Sequence, residues 1–387
     1  MKVLSRLVPA AAAAVAVAAF VAPAASAATR PAAPKAPAYP RSYQSGGAVF
    51  VLTDSTAGNA VIAYHRAADG KLTQVGSYST GGLGGVLAGS VVDHTASQGA
   101  LAYDRARGLL FAVNPGSDTV AVFKVHGDQL AVSQVISSGG VFPVSVTVHG
   151  DHVYVLNALG GGSLYGYRIA GDRLSPIGGS FRPLGLGTSA ASQFTSTPGQ
   201  VAFTPDGRAL LVTTKASGND VDVYAVGPGG LLSPSPVVNP LPADVPFAVT
   251  FDEAGHVALA EAGPSAVATF SLSSSGVLTQ LGVADTGQQA TCWVVRAGRY
   301  LYTSNAGSGS VSGYTAGRNG ALTALGNTPT DAGTVDPASA AHGRFLYVRT
   351  GAAGNVDEFA VGAGGSLTPL GSVSVPGGAG GEGIAAS

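Results

Sequence analysis

The sequence predicts an all-β protein, a seven-bladed β-propeller whose blades are four-stranded antiparallel sheets. The first observation is a repeat of roughly 45 residues that occurs seven times, a period typical of propellers. The second is composition: of 387 residues, 57 are Gly and 23 are Pro, yet 45% are hydrophobic, which favours a turn-rich fold with a large core. The third is that no apolar stripe of helical period competes with the strand pattern beyond the N-terminal segment.

The repeat consists of a short apolar strand that ends in aromatic–x–aliphatic, a Gly-bearing turn, and then Leu followed by a small or hydroxyl residue. One clear copy reads V-Y-A-V-G-P-G-G-L-L-S and another reads E-F-A-V-G-A-G-G-S-L-T. The aromatic position recurs at intervals of 44 to 59 residues, at Tyr64, Phe123, Tyr167, Tyr224, Phe270, Tyr314 and Phe359.

The fourth repeat shows how one unit divides into four strands. A tight turn at Pro205–Arg208 separates an inner strand, Gln200–Thr204, from a second strand, Ala209–Thr214. Alternating apolar residues then predict a third strand at Val221–Val226 and an outer strand from Leu232 onward. We expect the same order in every blade.

The two ends of the repeat array are incomplete in a complementary way. Nothing before Ala48 resembles an inner strand, whereas a surplus segment, Gly381–Ala386, follows the last repeat. We therefore predict that this segment supplies the inner strand of the first blade. The ring then closes and leaves no free sheet edge.

The N-terminus resembles a secretory signal peptide. Lys2 and Arg6 precede an Ala/Val-rich run, and Ala25–Ala27 forms an A-x-A site, so we predict cleavage after Ala27. The predicted organisation is a signal peptide at 1–27, a Pro/Ala-rich linker at 28–46 and one propeller domain at 47–387. We expect a secreted, extracellular protein that has no membrane segment after cleavage.

Charge and cysteine content exclude several classes of function. Lys plus Arg is 20 and Asp plus Glu is 21, which gives a net charge of −1 and argues against a nucleic-acid partner. The single cysteine, Cys292, excludes an internal disulfide and a Cys-based zinc site. We predict a monomer with no metal and no cofactor, and a small-molecule ligand, a sugar or lactone, as the partner.

Two longer intervals between repeats locate insertions, near Leu83–Gln98 and Phe181–Ser196. Both join an outer strand to the next inner strand, on the face where propeller loops converge on the axis. We call this the funnel face. The insertions are interpreted as walls of a ligand-binding funnel, or alternatively as tolerated surface insertions.

The last position of each second strand is polar in all seven repeats, in strands that are otherwise mostly apolar. Asn and Thr at a strand end can bind a ligand or can satisfy turn amides. Glu261 differs, because a carboxylate can act as a general base, and it is the first catalytic candidate. The column consists of Thr53, Asn114, Asn157, Thr214, Glu261, Asn305 and Thr350. Of these, Asn114, Asn157, Thr214 and Asn305 are binding candidates.

A second set of candidates lies where inner strands begin. Gln200 and Trp293 are binding candidates there, although Trp293 can equally serve as packing between blades. His94, in the first insertion, is the second catalytic candidate, as a general base that reaches the funnel. Lys215 is a candidate anion contact on the same face. Cys292 is interpreted as a small buried hydrophobe rather than a nucleophile.

The repeats resemble the seven-bladed lactonase propellers, which include 6-phosphogluconolactonases and carboxymuconate-lactonising enzymes. The segments that carry the resemblance are Thr197–Lys215, Ala290–Tyr314 and Phe345–Val348. In active members of that family, the corresponding segment resembles G-P-R-H-x-x-F and is followed by a strand that ends N-E-L. Here Gly199 stands at the arginine position, Gln200 at the histidine and Thr214 at the glutamate.

Three functional hypotheses follow. The first is an exported lactonase-like propeller that has lost the standard site and binds a small polar ligand. The second is an active lactone hydrolase or cycloisomerase with a rebuilt site. The third is an extracellular protein-interaction scaffold.

Overall fold

The computed structural model describes residues 46–187 and 193–387. The predicted signal peptide and all but the last residue of the predicted linker lie outside these ranges. Within them, no helix has the length and hydropathy needed to cross a membrane.

The described residues form seven antiparallel sheets, which confirms the predicted seven-bladed propeller. Blade one contains β1 (Gly47–Leu52), β2 (Ala60–Arg66) and β3 (Leu72–Ser79). Blade two contains β4 (Leu101–Asp104), β5 (Leu109–Asn114), β6 (Thr119–His126) and β7 (Gln129–Ser137). Blade three contains β8 (Pro143–His149), β9 (His152–Asn157), β10 (Ser163–Ala170), β11 (Arg173–Pro176) and the short β12 (Arg182–Pro183).

The second half of the ring repeats this order. Blade four contains β13 (Gln200–Phe203), β14 (Ala209–Thr213), β15 (Asp220–Ala225) and β16 (Val237–Pro240). Blade five contains β17 (Pro246–Phe251), β18 (Val257–Glu261), β19 (Ala266–Leu272) and β20 (Leu278–Asp285). Blade six contains β21 (Thr291–Ala297), β22 (Tyr300–Asn305), β23 (Ser310–Ala316) and β24 (Leu322–Pro329). Blade seven contains β25 (Thr334–Ala340), β26 (Phe345–Thr350), β27 (Asn355–Val361) and β28 (Leu367–Ser374).

Ring closure follows the prediction. The C-terminal strand β29 (Ile384–Ala386) pairs antiparallel with β1, with Phe50 opposite Ala385, so the last residues of the chain complete blade one. The inner strands β4, β8, β13, β17, β21, β25 and β29 each contact the next, and the last contacts the first. They therefore surround a common axis.

The core lies between the blades. The recurring aromatic residue falls on the third strand of every blade and is buried in all seven. Tyrosines of three second strands also reach the following blade: the hydroxyls of Tyr154, Tyr302 and Tyr347 donate to glycine carbonyls at 2.7, 2.8 and 2.6 Å. Those glycines lie in or next to the turn between the third and fourth strands. Each such tyrosine buries its ring and also gives its hydroxyl a hydrogen-bond acceptor in the next blade, which stabilises the contact between neighbouring blades.

Outer strands depart from the prediction. In blade four the outer strand begins at Val237, not at Leu232, which makes only an isolated bridge with Val226. Pro234 and Pro236 explain the delay, because proline has no N–H to donate to the ladder. The described residues also contain two short α-helices, α1 (Gln193–Ser196) and α2 (Lys215–Gly218), and three single-turn 3₁₀ helices.

Candidate functional site

The first insertion, residues 83–98, is here called the axial loop. It bonds to blades three, four and six. The Ser97 hydroxyl donates to the Val144 carbonyl of blade three at 2.9 Å. The backbone N–H of Gln98 donates to the Gly199 carbonyl beside blade four at 3.1 Å. The Gln98 side-chain amide exchanges two 3.0 Å hydrogen bonds with the backbone of Val294 in blade six. These polar groups therefore join the loop to inner strands of several blades, while Val91, Asp93 and Ala96 of the same loop border a cavity on the funnel face.

Asp93 organises the axial loop. One carboxylate oxygen accepts the backbone N–H groups of Thr95 at 3.0 Å and Ala96 at 2.9 Å, and the other accepts that of Ser97 at 3.0 Å. Ala96 adopts a φ of 47°, a left-handed conformation that a non-glycine residue holds only when its surroundings fix it. The loop conformation thus depends on one buried carboxylate.

Four buried carboxyl groups gather around the axis, Asp54, Asp93, Asp336 and Glu382, which we call the axial carboxylates. Burial raises the pKa of Asp54 to about 7, of Asp93 to about 6 and of Asp336 to about 8. Burial and the neighbouring acids Asp93 and Asp336 raise the pKa of Glu382 well above its ordinary value. Since a buried carboxylate is costly unless compensated, protons are retained in this cluster.

Among the described residues, two cations compensate the axial carboxylates. Arg349 is fully buried, and its guanidinium donates to the Gly378 carbonyl at 2.7 Å. Its Nε and Nη1 and the Oδ1 of Asp54 have no hydrogen-bond partner among the described residues. Lys215 is the second cation. No group of three or more acidic, His or Cys side chains within the described ranges is arranged to hold a metal ion.

This cluster predicts an unusual pH dependence of stability. A carboxyl group whose folded pKa is raised keeps its proton in the folded state and releases it on unfolding, so stability is lost as pH rises through the folded pKa. We expect the unfolding free energy to fall between pH 5 and 7, by about 1.4 kcal/mol per pH unit for each group that is still protonated in the folded state. The lowered pKa of Lys215 opposes this trend only above pH 7.

The Asp336→Asn variant tests this directly. Asparagine resembles the protonated acid and cannot ionise. The variant's unfolding free energy should therefore decline with rising pH less steeply than that of the wild type, by about 1.4 kcal/mol per pH unit. Urea unfolding at pH 5, 6 and 7 measures both slopes. Asp69→Asn, in an exposed turn, is the control and should keep the wild-type slope. Parallel slopes for Asp336→Asn and the wild type would contradict the assignment.

A cavity of about 510 Å³ lies off the axis on the funnel face, over blades four to six. That volume is within the range of small-molecule sites. The charged side chains that border it among the described residues are Lys215 and Asp93. The bordering residues are Val91, Val92, Asp93, Ala96, Phe194, Thr195, Lys215, Ala216, Val245, Phe247, Ala262, Gly263, Ala290, Cys292, Trp293, Ala306 and Gly307. The cavity is thus an apolar chamber with one cation and one carboxyl group.

The aromatic wall consists of Phe247 and Trp293. Their ring centroids are 4.9 Å apart with planes at 61°, an edge-to-face arrangement. The indole N–H of Trp293 donates to the Ser97 carbonyl at 2.7 Å, which fixes the ring against the axial loop. Trp293 therefore packs against the axial loop and also borders the cavity. Its position is compatible with both roles considered from the sequence, packing between blades and ligand binding.

Lys215 lies at the start of α2, directly after the second strand of blade four. Its ammonium group donates to the carbonyls of Ala96 and Phe194, both at 2.6 Å, and to the Thr197 hydroxyl at 3.1 Å. It also lies 5.4 Å from the centroid of the Phe247 ring. Burial lowers the pKa of Lys215 to about 7, and the nearby Asp93 opposes that shift. Lys215 joins the axial loop and α1 to blade four.

The remaining binding candidates lie in the strand-end column or along an inner strand, away from this cavity. Asn114 accepts a hydrogen bond from the Asn59 amide of blade one and donates to the Thr119 hydroxyl, both at 3.1 Å. Asn305 bonds to side chains within blade six, and Thr214 bonds to Asp220 at 2.8 Å. Asn157 donates to the Ser138 carbonyl at 3.3 Å. Gln200 accepts the backbone N–H of Val249 at 2.6 Å and so joins blades four and five.

Neither catalytic candidate borders the cavity. Glu261 is buried at the end of β18, where burial and the acids Asp244 and Asp285 raise its pKa to about 7. His94 is packed near Gly380, and its buried Nδ1 has no hydrogen-bond partner among the described residues. The carboxyl group that does border the cavity is its neighbour Asp93. Asp93 is not among the residues predicted from the sequence, although an Asp two residues before Thr95 can signal an Asx-turn.

Gly199 occupies a position that tolerates no side chain. A Cβ built there lies 2.4 Å from the Phe247 carbonyl oxygen and 2.9 Å from the Thr213 hydroxyl. An arginine at this point would therefore require the backbone of blade five to move.

Comparison with known proteins agrees with this architecture. Residues 254–382 match the family model described as "Lactonase, 7-bladed beta-propeller". Over these residues the chain therefore resembles the seven-bladed lactonase propellers. A search of curated proteins finds no match to it.

Three solved structures share this propeller fold at low identity. The periplasmic gluconolactonase PpgL of Pseudomonas aeruginosa has a TM-score of 0.69 at 20% identity, covering 88% of this chain and 99% of that chain. A protein from Lactobacillus plantarum has a TM-score of 0.69 at 22% identity, covering 88% and 98%. A proposed 6-phosphogluconolactonase from Bacteroides fragilis has a TM-score of 0.69 at 18% identity, covering 87% and 97%.

Proposed function

We propose that this lactonase-type propeller binds a small cyclic ester, a lactone with an apolar ring or chain, in the off-axis cavity of the funnel face. The observation that carries the proposal is the cavity itself: apolar walls, the Phe247–Trp293 corner, and Lys215 as the cation at its border. Aromatic faces and aliphatic walls accept an apolar ring, and an ammonium group is attracted to a carbonyl oxygen. A fully hydroxylated sugar would leave most of its hydroxyls without partners there.

The binding role does not require the family's lactonase pattern. Gly199 and Gln200 stand where that pattern has arginine and histidine, and Gln200 is committed to the backbone of Val249. A glutamine amide does not exchange protons near pH 7, so proton transfer at this position is lost. The proposal is therefore a ligand-binding propeller in which the standard site is absent.

Trp293 provides the measurement. It is the only tryptophan in the chain and borders the cavity, so its fluorescence reports on ligand entry. We expect saturable quenching or shift of this fluorescence by γ-nonalactone, and a response at least tenfold weaker to glucono-1,5-lactone. A wild-type protein that responds to neither would overturn the proposal.

Lys215→Met is expected to weaken γ-nonalactone binding at least tenfold, because the cavity loses the positive charge that attracts the ester carbonyl oxygen. Lys71→Met, on an exposed turn, removes the same charge and should bind as the wild type does. Since Lys215 also joins the axial loop to blade four, a second variant, Ala262→Phe, fills the cavity without altering any charge. Unchanged affinity in both Lys215→Met and Ala262→Phe would place the ligand elsewhere.

A second candidate function, lactone hydrolysis, is favoured by one observation. Asp93 and Lys215, with pKa values raised to about 6 and lowered to about 7, border the same cavity and provide a proton acceptor and donor near neutral pH. A pH-stat assay with γ-nonalactone distinguishes the two functions. Turnover that Lys215→Met abolishes supports hydrolysis, whereas saturable binding with a flat trace supports binding alone. Glu261→Gln tests the sequence-based catalytic assignment in the same assay.

Export is part of the proposal. The charged start, apolar run and A-x-A site at 1–27 support it, and one structural neighbour is named a periplasmic gluconolactonase. Expression of the full chain should yield mature protein that begins at Ala28 outside the cytoplasm. Retention of the uncleaved chain in the cytoplasm would contradict it.

A further inference from the structure

The face opposite the funnel holds a second cavity, of about 570 Å³, at the other end of the axis. It lies where inner strands end and turn toward second strands. Arg105 follows β4 of blade two, Arg296 and Arg299 flank the end of β21 in blade six, and Ser339 and His342 belong to blade seven. Ala386, on the closing strand, also borders it.

Three guanidinium groups in this cavity are free of carboxylate partners. Arg105 donates to the Ala386 carbonyl at 2.9 Å, and Arg296 donates to the Gly298 carbonyl at 3.1 Å. Arg299 lies 5.2 Å from the centroid of the Tyr300 ring. Within the described ranges, none of the three forms an ion pair, whereas Arg107 and Arg208 on the same face pair with aspartates.

The side chains of these arginines are exposed, and each retains N–H groups that no protein atom uses. One carboxylate, Glu253, borders the cavity, so the three arginines leave it with a net positive charge. Guanidinium groups present planar pairs of N–H donors that match phosphate and carboxylate oxygens. A water molecule occupies about 30 Å³ in the liquid, so this cavity has room for a molecule much larger than a single small ion.

We propose that this cavity is a binding site for an oligoanion, a molecule that carries two or more phosphate or carboxylate groups. The site lies beyond the proposed lactone function, because it occupies the opposite face and shares no residue with the funnel cavity. Charge distribution agrees with this assignment: Asp244, Glu261 and Asp285 cluster on the funnel side of blade five, which would repel an anion there. The face opposite the funnel therefore attracts the anion, and the charge difference between the two faces orients the propeller relative to that anion.

Isothermal titration with tripolyphosphate and with citrate, at 50 and 150 mM NaCl, tests the site. We expect saturable binding of at least one probe, weakened by salt, as for any exposed ionic contact. Tighter binding of tripolyphosphate assigns the site to phosphate groups, and tighter binding of citrate assigns it to carboxylates. Absence of binding to both at 50 mM NaCl would overturn the proposal.

The decisive comparison uses two double variants of equal charge. Arg296→Gln with Arg299→Gln removes two guanidinium groups from the cavity and should weaken binding at least tenfold. Arg173→Gln with Arg318→Gln removes two exposed arginines from outer turns of the same face, and affinity should stay within threefold of the wild type. Equal losses in the two variants would mean that net charge alone attracts the probe, and would overturn a defined site.

Discussion

Deletion of the last four residues, 384–387, is expected to prevent the ring from closing and to lower the unfolding free energy by about 7 kcal/mol. At least five backbone or side-chain hydrogen bonds to β1 and its neighbours are lost, at about 1 kcal/mol each, and burial of Ile384 accounts for about 2 kcal/mol more. Typical domains have only about 5–15 kcal/mol in total. We therefore expect little soluble monomer.

The bonds that are lost are specific. The Ser387 N–H donates to the Ala48 carbonyl at 2.8 Å, the Ala48 N–H donates to the Ser387 hydroxyl at 2.6 Å, and Arg66 donates to the Ser387 carbonyl at 3.3 Å. Arg105 also loses its bond to the Ala386 carbonyl, and the ladder between β1 and β29 is lost as well. Without them β1 becomes an unpaired inner edge, which favours pairing between chains.

A circular permutant is the matched control. Joining Ser387 to Gly46 by a short linker, with new termini at the turn after β10, keeps every strand and moves only the point of chain entry. We expect this permutant to unfold within about 2 kcal/mol of the wild type, because exposed turns tolerate new termini. Thermal unfolding and size-exclusion chromatography measure both proteins. Wild-type stability in the deletion variant would show that β29 does not close the ring.

The blades and their closure could be predicted because each repeat is a local pattern. The third-strand aromatic, from Tyr64 to Phe359, is buried in all seven blades because each one faces the same kind of neighbour. Closure followed from counting strands: blade one lacks an inner strand, and the chain ends in a spare one. Neither conclusion needed knowledge of contacts between distant residues.

The axial loop could not be predicted in the same way. Its conformation depends on contacts such as Trp293 with Ser97 and Gln98 with Val294, pairs separated by 196 residues in the chain. Nothing in residues 83–98 repeats elsewhere, so no period marks their partners. The length of the insertion indicated an enlarged loop, but only tertiary contacts decide that it bonds to blades three, four and six.

The strand-end column shows a different limit. Asn305 and Glu261 occupy the same position in adjacent blades, yet Asn305 bonds within blade six while Glu261 lies near Asp244 and Asp285. A polar residue at a strand end carries no local signal of which neighbour it meets. The cavity lies next to the residues that follow this column, Ala262 and Ala306, whose small side chains leave space. No sequence pattern indicates such a space.

Asp93→Ala is expected to destabilise the axial loop and to lower the unfolding free energy by about 3–5 kcal/mol, the range for breaking a buried charge network. Three backbone N–H groups lose their acceptor, Ala96 loses the bond that holds its positive φ, and Lys215 loses its nearest compensating carboxyl group. Urea unfolding at pH 7 measures the loss. Asp69→Ala removes an exposed turn carboxylate that accepts the Lys71 N–H at 3.1 Å, and should cost less than about 1 kcal/mol.

Asp93→Asn separates charge from geometry. Its carbonyl oxygen can still accept the N–H groups of Thr95 and Ala96, but its amide N–H₂ would face the Ser97 N–H, donor against donor. We expect about half the loss of the alanine variant, and a shift of Trp293 emission to longer wavelength, because the indole bond to Ser97 holds the ring in the cavity wall. Since Trp293 is the sole tryptophan, this shift reports on the loop while the blades stay folded. A wild-type emission spectrum together with wild-type stability would show that the loop holds its place without Asp93, and the Phe247–Trp293 corner of the cavity would then depend on blades five and six alone.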